Sequence, residues 1–324
     1  MNSIQFSSGD LVADRRADYA EMLFAEGDLA AAADLLRDAL ALAPRWAAGW
    51  FRLGEMRQAA GEPDAAVRAW REALRLDPAD RLGATLRLSL VAPAEAIVAP
   101  PSLFVETLFD QYAEKFDASL VGKLGYCVPQ LLCERILASG QDRFAHVLDL
   151  GCGTGLMGER LRRRTSFLEG VDISAAMLKK AAEKRIYDRL EKADLAALEP
   201  GDSRADLICA ADVFIYLGTL DGIAERVKAM LSPGGLFAFS VESHDGPEPT
   251  LLRSSRRFAH SEGYLRELLS RNGFAIVSLS GAIIRHDGGA PIEGLLVVAQ
   301  LGAARDQAVP HVVEALELEG IAVR

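Results

Sequence analysis

No run of 18 apolar residues occurs in the chain, so no segment reads as a membrane-spanning helix. The first ten residues hold neither a basic cluster nor an apolar stretch, and no secretory signal is expected there. Cysteine is scarce. Cys127, Cys133, Cys152 and Cys209 show no C-x-x-C spacing, which argues against a zinc site and for reduced thiols in a cytoplasmic protein with no metal. The absence of C-x3-C-x2-C disfavours iron–sulfur radical chemistry. Positive charge is in deficit: 36 Lys and Arg against 46 Asp and Glu give a net charge of −10. Nucleic acid, which needs a positive surface, is therefore not an expected partner. What remains is an ordinary soluble composition, 50% apolar and 25% charged, over 324 residues. That length allows one large or two modest domains.

The most informative stretch is Val147-Leu148-Asp149-Leu150-Gly151-Cys152-Gly153-Thr154-Gly155-Leu156. An apolar run ending in alternate glycines, followed by helix formers, reads as strand, tight loop and helix. In a doubly wound sheet that loop lies at the carboxyl edge of the first strand, where ligands bind. Helix amides from Thr154 onward point their positive end at the ligand. The dinucleotide fingerprint G-x-G-x-x-G is not met, because its third glycine falls one position early, at Gly155, and Leu156 takes its place. A second apolar stretch, 167–171, ends in Asp172 roughly 20 residues after Gly151, where an acid meets ribose hydroxyls. Ser174 then caps a helix.

These residues resemble the motifs of class I S-adenosylmethionine-dependent methyltransferases. The resemblance implies that Asp149, Gly151, Cys152, Gly153 and Gly155 form the glycine loop, and that Asp172 and Ile173 receive the ribose. It also implies that Met177 packs on the adenine, although the residue alone reads equally as core filler. Asp194 and Leu195 match the position beside the adenine amino group, and Ala210 and Asp212 the end of the fourth strand. The implied fold is α/β, a Rossmann-like seven-stranded sheet in the order 3-2-1-4-5-7-6 with the last strand antiparallel. Its fifth strand is expected over 236–242 after Ser232-Pro233-Gly234-Gly235, and its closing hairpin over 274–280 and 292–301. The cofactor implied is S-adenosylmethionine, with S-adenosylhomocysteine as product.

Ahead of this region, Gly27, Ala32, Ala39 and Pro44 recur as Gly61, Ala66, Ala73 and Pro78, a period of about 34 residues. The second copy adds Trp50, Leu53, Gly54 and Trp70. This resembles the tetratricopeptide repeat, with Arg57 in place of the usual Tyr and Trp70 in place of Phe. The expected organisation is a flexible terminus (1–14), a repeat domain (15–92), a proline-rich linker (93–101), a methyltransferase domain (102–301) and a tail (302–324). Two repeats are few, so contact with a protein partner, the rest of the chain or a second copy is expected.

Phe109, Asp110, Tyr112, Phe116 and Asp117 resemble the lead-in helix of small-molecule methyltransferases, which covers the cofactor. Tyr112 thereby joins the expected site, and a packing helix outside the sheet is the other reading. Ser102 is expected to cap that helix. Tyr187-Asp188-x-Leu190 and Arg257-Phe258-x-His260 resemble the Williams–Beuren-region methyltransferase-like subgroup. On the acceptor side, Arg256 or Arg257 suits an anion, and His260 or Tyr216 suits a base or an orienting group. His244 and Tyr264 are further candidates. The leading expectation is methyl transfer to oxygen or nitrogen of a small, anionic acceptor. A protein methyltransferase guided by the repeats, and a repeat scaffold with a non-catalytic cofactor domain, are the alternatives. Asp212-Val213-Phe214-Ile215 stands where an Asn-Pro-Pro-Tyr type motif would mark amide or adenine-amino methylation.

Overall fold

The computed structural model describes residues 7–91, 100–120, 122, 124–201 and 203–302. Two antiparallel helix pairs come first, α1 (Leu11–Glu26) with α2 (Leu29–Leu42) and α3 (Ala47–Ala59) with α4 (Pro63–Leu76), followed by α5 (Ala84–Val91). The first helix starts at Leu11, ahead of the expected boundary at 15, because the Asp10 carboxylate accepts from the amides of Val12 and Ala13 at 2.8 and 2.9 Å. Ala32, Ala39, Ala66 and Ala73 are buried where the helices approach. Trp70 is fully buried, and its indole donates to the Phe51 carbonyl at 3.1 Å. Its ring lies so close over Gly54 that a Cβ there would stand 2.3 Å from it, which accounts for glycine at that position.

Most of the proline-rich stretch, residues 92–99, and the tail from 303 lie outside the described residues. The chain resumes with α6 (Ser102–Tyr112), a short turn, α7 (Phe116–Leu120) and α8 (Val128–Ala138). Ser102 does not cap α6; the Pro101 carbonyl accepts the first amides, and the Ser102 hydroxyl donates instead to Asp194.

The sheet follows: β1 (Phe144–Leu150), α9 (Leu156–Leu161), β2 (Thr165–Asp172), α10 (Ala175–Glu183), β3 (Arg189–Lys192), β4 (Ala205–Ala210), α11 (Asp221–Met230) and β5 (Leu231–Ser243). Then come β6 (Thr250–Leu252), β7 (Phe258–His260), α12 (Glu262–Arg271), β8 (Phe274–Asp287) and β9 (Ala290–Leu301). Strands β3, β2, β1, β4 and β5 are parallel neighbours, β9 runs antiparallel to β5, and β8 pairs β9. This is the expected order with one correction. Among the described residues the sheet has nine strands rather than seven, because a hairpin, β6–β7, is inserted after β5. It pairs with the tip of β5 at Glu242 and Ser243. β5 also starts at Leu231, before the expected turn; its register with β4 shifts between Ala205 and Leu207 to absorb the extra residues.

Strict alternation along the central strands divides the core. Leu148, Leu150, Ile208, Phe237, Phe239 and Val297 face α11 and α12, while Val147, Leu207, Leu236, Ala238 and Val298 face α8 and α9. The repeats and the sheet domain meet in a third cluster, where Leu86 of α5, Phe104 of α6 and Phe258 of β7 bury one another.

Candidate active site

The carboxyl ends of β1, β2 and β4 open into one pocket, covered by α6 and the residues after it. Its lining includes Asp149, Gly151, Cys152, Gly153, Asp172, Ile173, Met177, Asp194, Leu195 and Asp212, with Tyr112 on the covering helix. The sequence-predicted cofactor residues are therefore brought together, with two exceptions. Ala210 points the other way, into the core with Phe214 and Phe239, and its neighbour Ala211 faces the pocket instead. Gly155 lies behind the loop. It takes φ 92° as the residue that starts α9, and a Cβ there would stand 3.0 Å from the Tyr187 ring.

Gly153 shows how the loop fits a ligand. Its φ is 54°, and a Cβ would meet nothing within 4 Å, so the backbone itself forms the pocket wall with open space in front. Asp172 is fixed beside it: its two oxygens accept from the amides of Gly153 and Ser174, each at 2.8 Å. Lone pairs are left on both oxygens for hydroxyl donors. Burial pushes this carboxyl up to about 6, against the amides that lower it. Asp149 is also buried and pushed up to about 7 by desolvation, opposed by hydrogen bonds from the Tyr187 hydroxyl at 2.6 Å and the Cys209 thiol at 3.5 Å. These residues fit the ribose and methionine parts of S-adenosylmethionine.

The covering segment is pinned to each cofactor loop. Asp117 accepts from Thr154 of the glycine loop and from Lys184, Asp110 accepts from the Ser174 hydroxyl at 2.6 Å, and Ser102 donates to Asp194. Phe109 stands edge-on to Tyr216 at 5.4 Å and to Phe116 at 6.1 Å.

That aromatic wall begins the other half of the pocket, with Tyr126, Ile215, Tyr216, Leu217 and Arg257. Tyr216 and Arg257, two of the expected acceptor-side residues, line this half. Arg257 is buried; its closest carboxylates are Asp287 at 3.4 Å and Glu242 at 3.9 Å. Its Nε is buried without a hydrogen-bond partner among the described residues. Burial lowers its pKa, but Tyr216, Asp212 and Glu242 outweigh that and hold it raised and charged.

The structure does not bring His260 to the pocket. It is fully buried on β7 and stacks on Tyr264 with centroids 6.0 Å apart. Burial pushes its pKa down to about 4, so the ring is neutral. Tyr264 is engaged elsewhere, accepting from the Leu220 amide and donating to Asp221. Arg256 faces away too, into the contact with the repeats.

Sequence reasoning missed Arg285. The end of β8 carries it inward, where it is 1% exposed. It donates to both oxygens of Asp212 at 2.8 and 2.9 Å and to Glu242. Asp212 itself has φ 61° and its amide donates to the Ser240 hydroxyl at 2.8 Å. A buried arginine in a long hairpin strand has no local sequence mark. Tyr187 was visible in the subgroup resemblance, but nothing nearby signalled that it reaches Asp149. Among the described residues, no group of three His, Cys, Asp or Glu side chains could hold a metal, and no helix is long and apolar enough to cross a membrane.

Residues 148–237 match the family model described as methyltransferase domain, and residues 47–80 the model for the tetratricopeptide repeat. A malonyl-[acyl-carrier protein] O-methyltransferase of Enterobacter lignolyticus is 31% identical over 130 residues, 40% of this chain and 51% of that relative. A trans-aconitate 2-methyltransferase of Variovorax paradoxus is 35% identical over 113 residues, 34% of this chain and 44% of its own. The chain spans about half the length of these curated relatives. Among solved structures, an S-adenosylmethionine-dependent methyltransferase from Clostridium acetobutylicum aligns over 60% of this chain and 100% of its own, at 18% identity and a TM-score of 0.47. The chain carries a methyltransferase domain preceded by a tetratricopeptide-repeat segment.

Proposed function

We propose that this methyltransferase domain moves a methyl group from S-adenosylmethionine to an oxygen of a small acceptor that bears a carboxylate. The observation that carries the reading is the two-part pocket. One half is lined by Gly153, Asp172, Met177 and Asp194, and the other, continuous with it, by aromatic side chains and the buried guanidinium of Arg257.

Bound S-adenosylmethionine supplies a methyl group already activated on a sulfonium. The chain's own residues then have three tasks. Asp172 and the glycine loop hold the ribose end. Tyr112, Phe109 and Phe116 exclude water. Arg257 takes the acceptor's carboxylate in a planar fork and orients it. Arg285 makes the close contacts to Asp212 and Glu242, so Arg257 keeps longer ones to Asp287 and Glu242 beside its hydrogen bond with Tyr216, and its buried Nε has no partner among the described residues. A carboxylate is ionised at neutral pH and needs no general base. The burial of His260 outside the pocket agrees with that, and so does the occupation of both Asp212 oxygens by Arg285. The names of the two relatives give malonyl-[acyl-carrier protein] and trans-aconitate as what they act on, and both acceptors bear carboxyl groups. Four free cysteines support a reducing, cytoplasmic setting. Leu11, Tyr19 and Met22, exposed on α1, support a protein partner or a second copy of the chain at the repeats.

The test uses labelled S-adenosylmethionine with trans-aconitate, other small carboxylates and a cell lysate separated by size. Label in a base-labile methyl ester of a small molecule is the expected outcome, and Arg257→Ala should raise KM at unchanged S-adenosylhomocysteine affinity. Label confined to protein bands would overturn the small-acceptor reading.

A further inference from the structure

Arg256 and Arg257 are adjacent, yet they point into different domains. They form the tip of the β6–β7 hairpin, closed by hydrogen bonds from the Arg253 amide to the Arg257 carbonyl and from the Arg256 amide to the Arg253 carbonyl, both 2.8 Å. At this turn Arg256 takes φ 64°, a left-handed conformation that glycine adopts more readily than arginine. A turn alone would favour glycine here, so the side chain has a use that offsets the strain.

That side chain enters the contact with the repeats. Its guanidinium donates to the Leu82 carbonyl at 3.2 Å, on the turn before α5. It lies over the Phe104 ring of α6 at 5.1 Å and near the Phe51 ring of α3 at 5.8 Å. Phe104 in turn packs against Gly83, where a Cβ would stand 3.0 Å from its ring, and against Leu86 and Phe258. One cation thus touches the second repeat, the helix that covers the pocket and, through its own backbone, the arginine in the pocket wall. Val105, Leu108 and Phe109 of the same covering helix line the pocket.

We propose that Arg256 is a positioning residue that makes the repeats part of the acceptor site: it braces α6 and holds the hairpin tip so that Arg257 faces the pocket. The proposal rests on the reading of Arg257 given above. It assigns the repeats a role inside the methyltransferase reaction, through the shape of the acceptor half, in addition to any partner they take on their outer face.

Hydrogen exchange of the full chain, without ligand, tests the brace directly. Arg256→Gly removes the side chain and relieves the turn. If Arg256 served only the turn, this variant would protect the hairpin as well as the wild type or better. The expected result is exchange about tenfold faster over 102–112 and 250–260, with β1 and β4 unchanged. Arg256→Lys should restore part of the protection. Phe51→Leu, on the repeat side, should loosen the same hairpin across the interface. Unchanged protection in Arg256→Gly would overturn the proposal. So would equal acceleration throughout the sheet, or a Phe51→Leu effect confined to the repeats. A second measurement follows S-adenosylhomocysteine release, which should become several-fold faster in Arg256→Gly. If the wild-type chain fails to bind S-adenosylhomocysteine, the methyltransferase reading falls, while the exchange experiment still decides whether the repeats brace the covering helix.

Discussion

Removing one hydroxyl from Tyr187 should expose how the glycine loop is supported. The Tyr187 hydroxyl donates to Asp149 at 2.6 Å, and among the described residues the other donor to that carboxylate is the Cys209 thiol at 3.5 Å. Asp149 is 1% exposed, and burial has already pushed its pKa up to about 7. Tyr187→Phe keeps the ring in its place against Gly155 and Gly158 and deletes only the hydrogen bond. A folded-state pKa above the unfolded value means that the stability present at low pH is lost as pH rises through about 7. Loss of a donor to the anion raises that pKa further, so the penalty must grow with pH. A hydrogen bond to a charged group contributes about 1.5–3 kcal/mol, and one between neutral groups about 0.5–1.5. The variant should therefore lose about 1 kcal/mol near pH 6, where Asp149 is mostly protonated, and about 2 kcal/mol near pH 8. Trp46, Trp50 and Trp70 all lie in the repeats, so tryptophan fluorescence would miss the effect. Urea unfolding followed by hydrogen exchange of β1 and β4 reads the right domain. A loss that is equal at the two pH values, or smaller at the higher one, would refute the assignment of Tyr187 as the donor that holds the Asp149 anion.

Two further outcomes follow from the same geometry. Asp172→Ala should weaken S-adenosylhomocysteine binding by about 1–3 kcal/mol. In the wild type, calorimetry should find affinity falling as pH drops through about 6, because a proton then competes for the oxygens that accept the ribose hydroxyls. Arg285→Leu should cost about 3–5 kcal/mol in chemical denaturation, because Glu242 would be left buried and Asp212 half-buried without their close partner; a loss below about 1 kcal/mol would mean that the network is hydrated.

The sequence by itself determined the glycine loop and the repeat, which rest on local patterns; the strand order of the central sheet came with the resemblance those patterns carry to class I methyltransferases. Alternation along β1, β4 and β5 fixes which side chains face which helices. Glycines at 151 and 153 are required by the backbone they occupy, and the small residues of the repeat are set by how closely two neighbouring helices approach. Asp172 could be placed because it ends a strand, where the fold itself aims the side chain, whereas Met177 was placed by the resemblance of the stretch that leads to it from Asp172. Ala210 could not be placed so finely, since a shift of one residue at a strand end changes which face it serves.

The acceptor half was decided by tertiary structure. Arg256 and Arg257 are indistinguishable in a basic run, and only the left-handed turn at Arg256 sends one to the repeats and the other to the pocket. His260 read as a base because imidazole suits that task, but β7 places it between the hairpin and α12, where desolvation keeps it neutral. Arg285 comes from a strand remote in sequence from Asp212 and Glu242. Such long-range ion pairs leave no periodic trace, because what selects the residue is the charge already buried on the neighbouring strands.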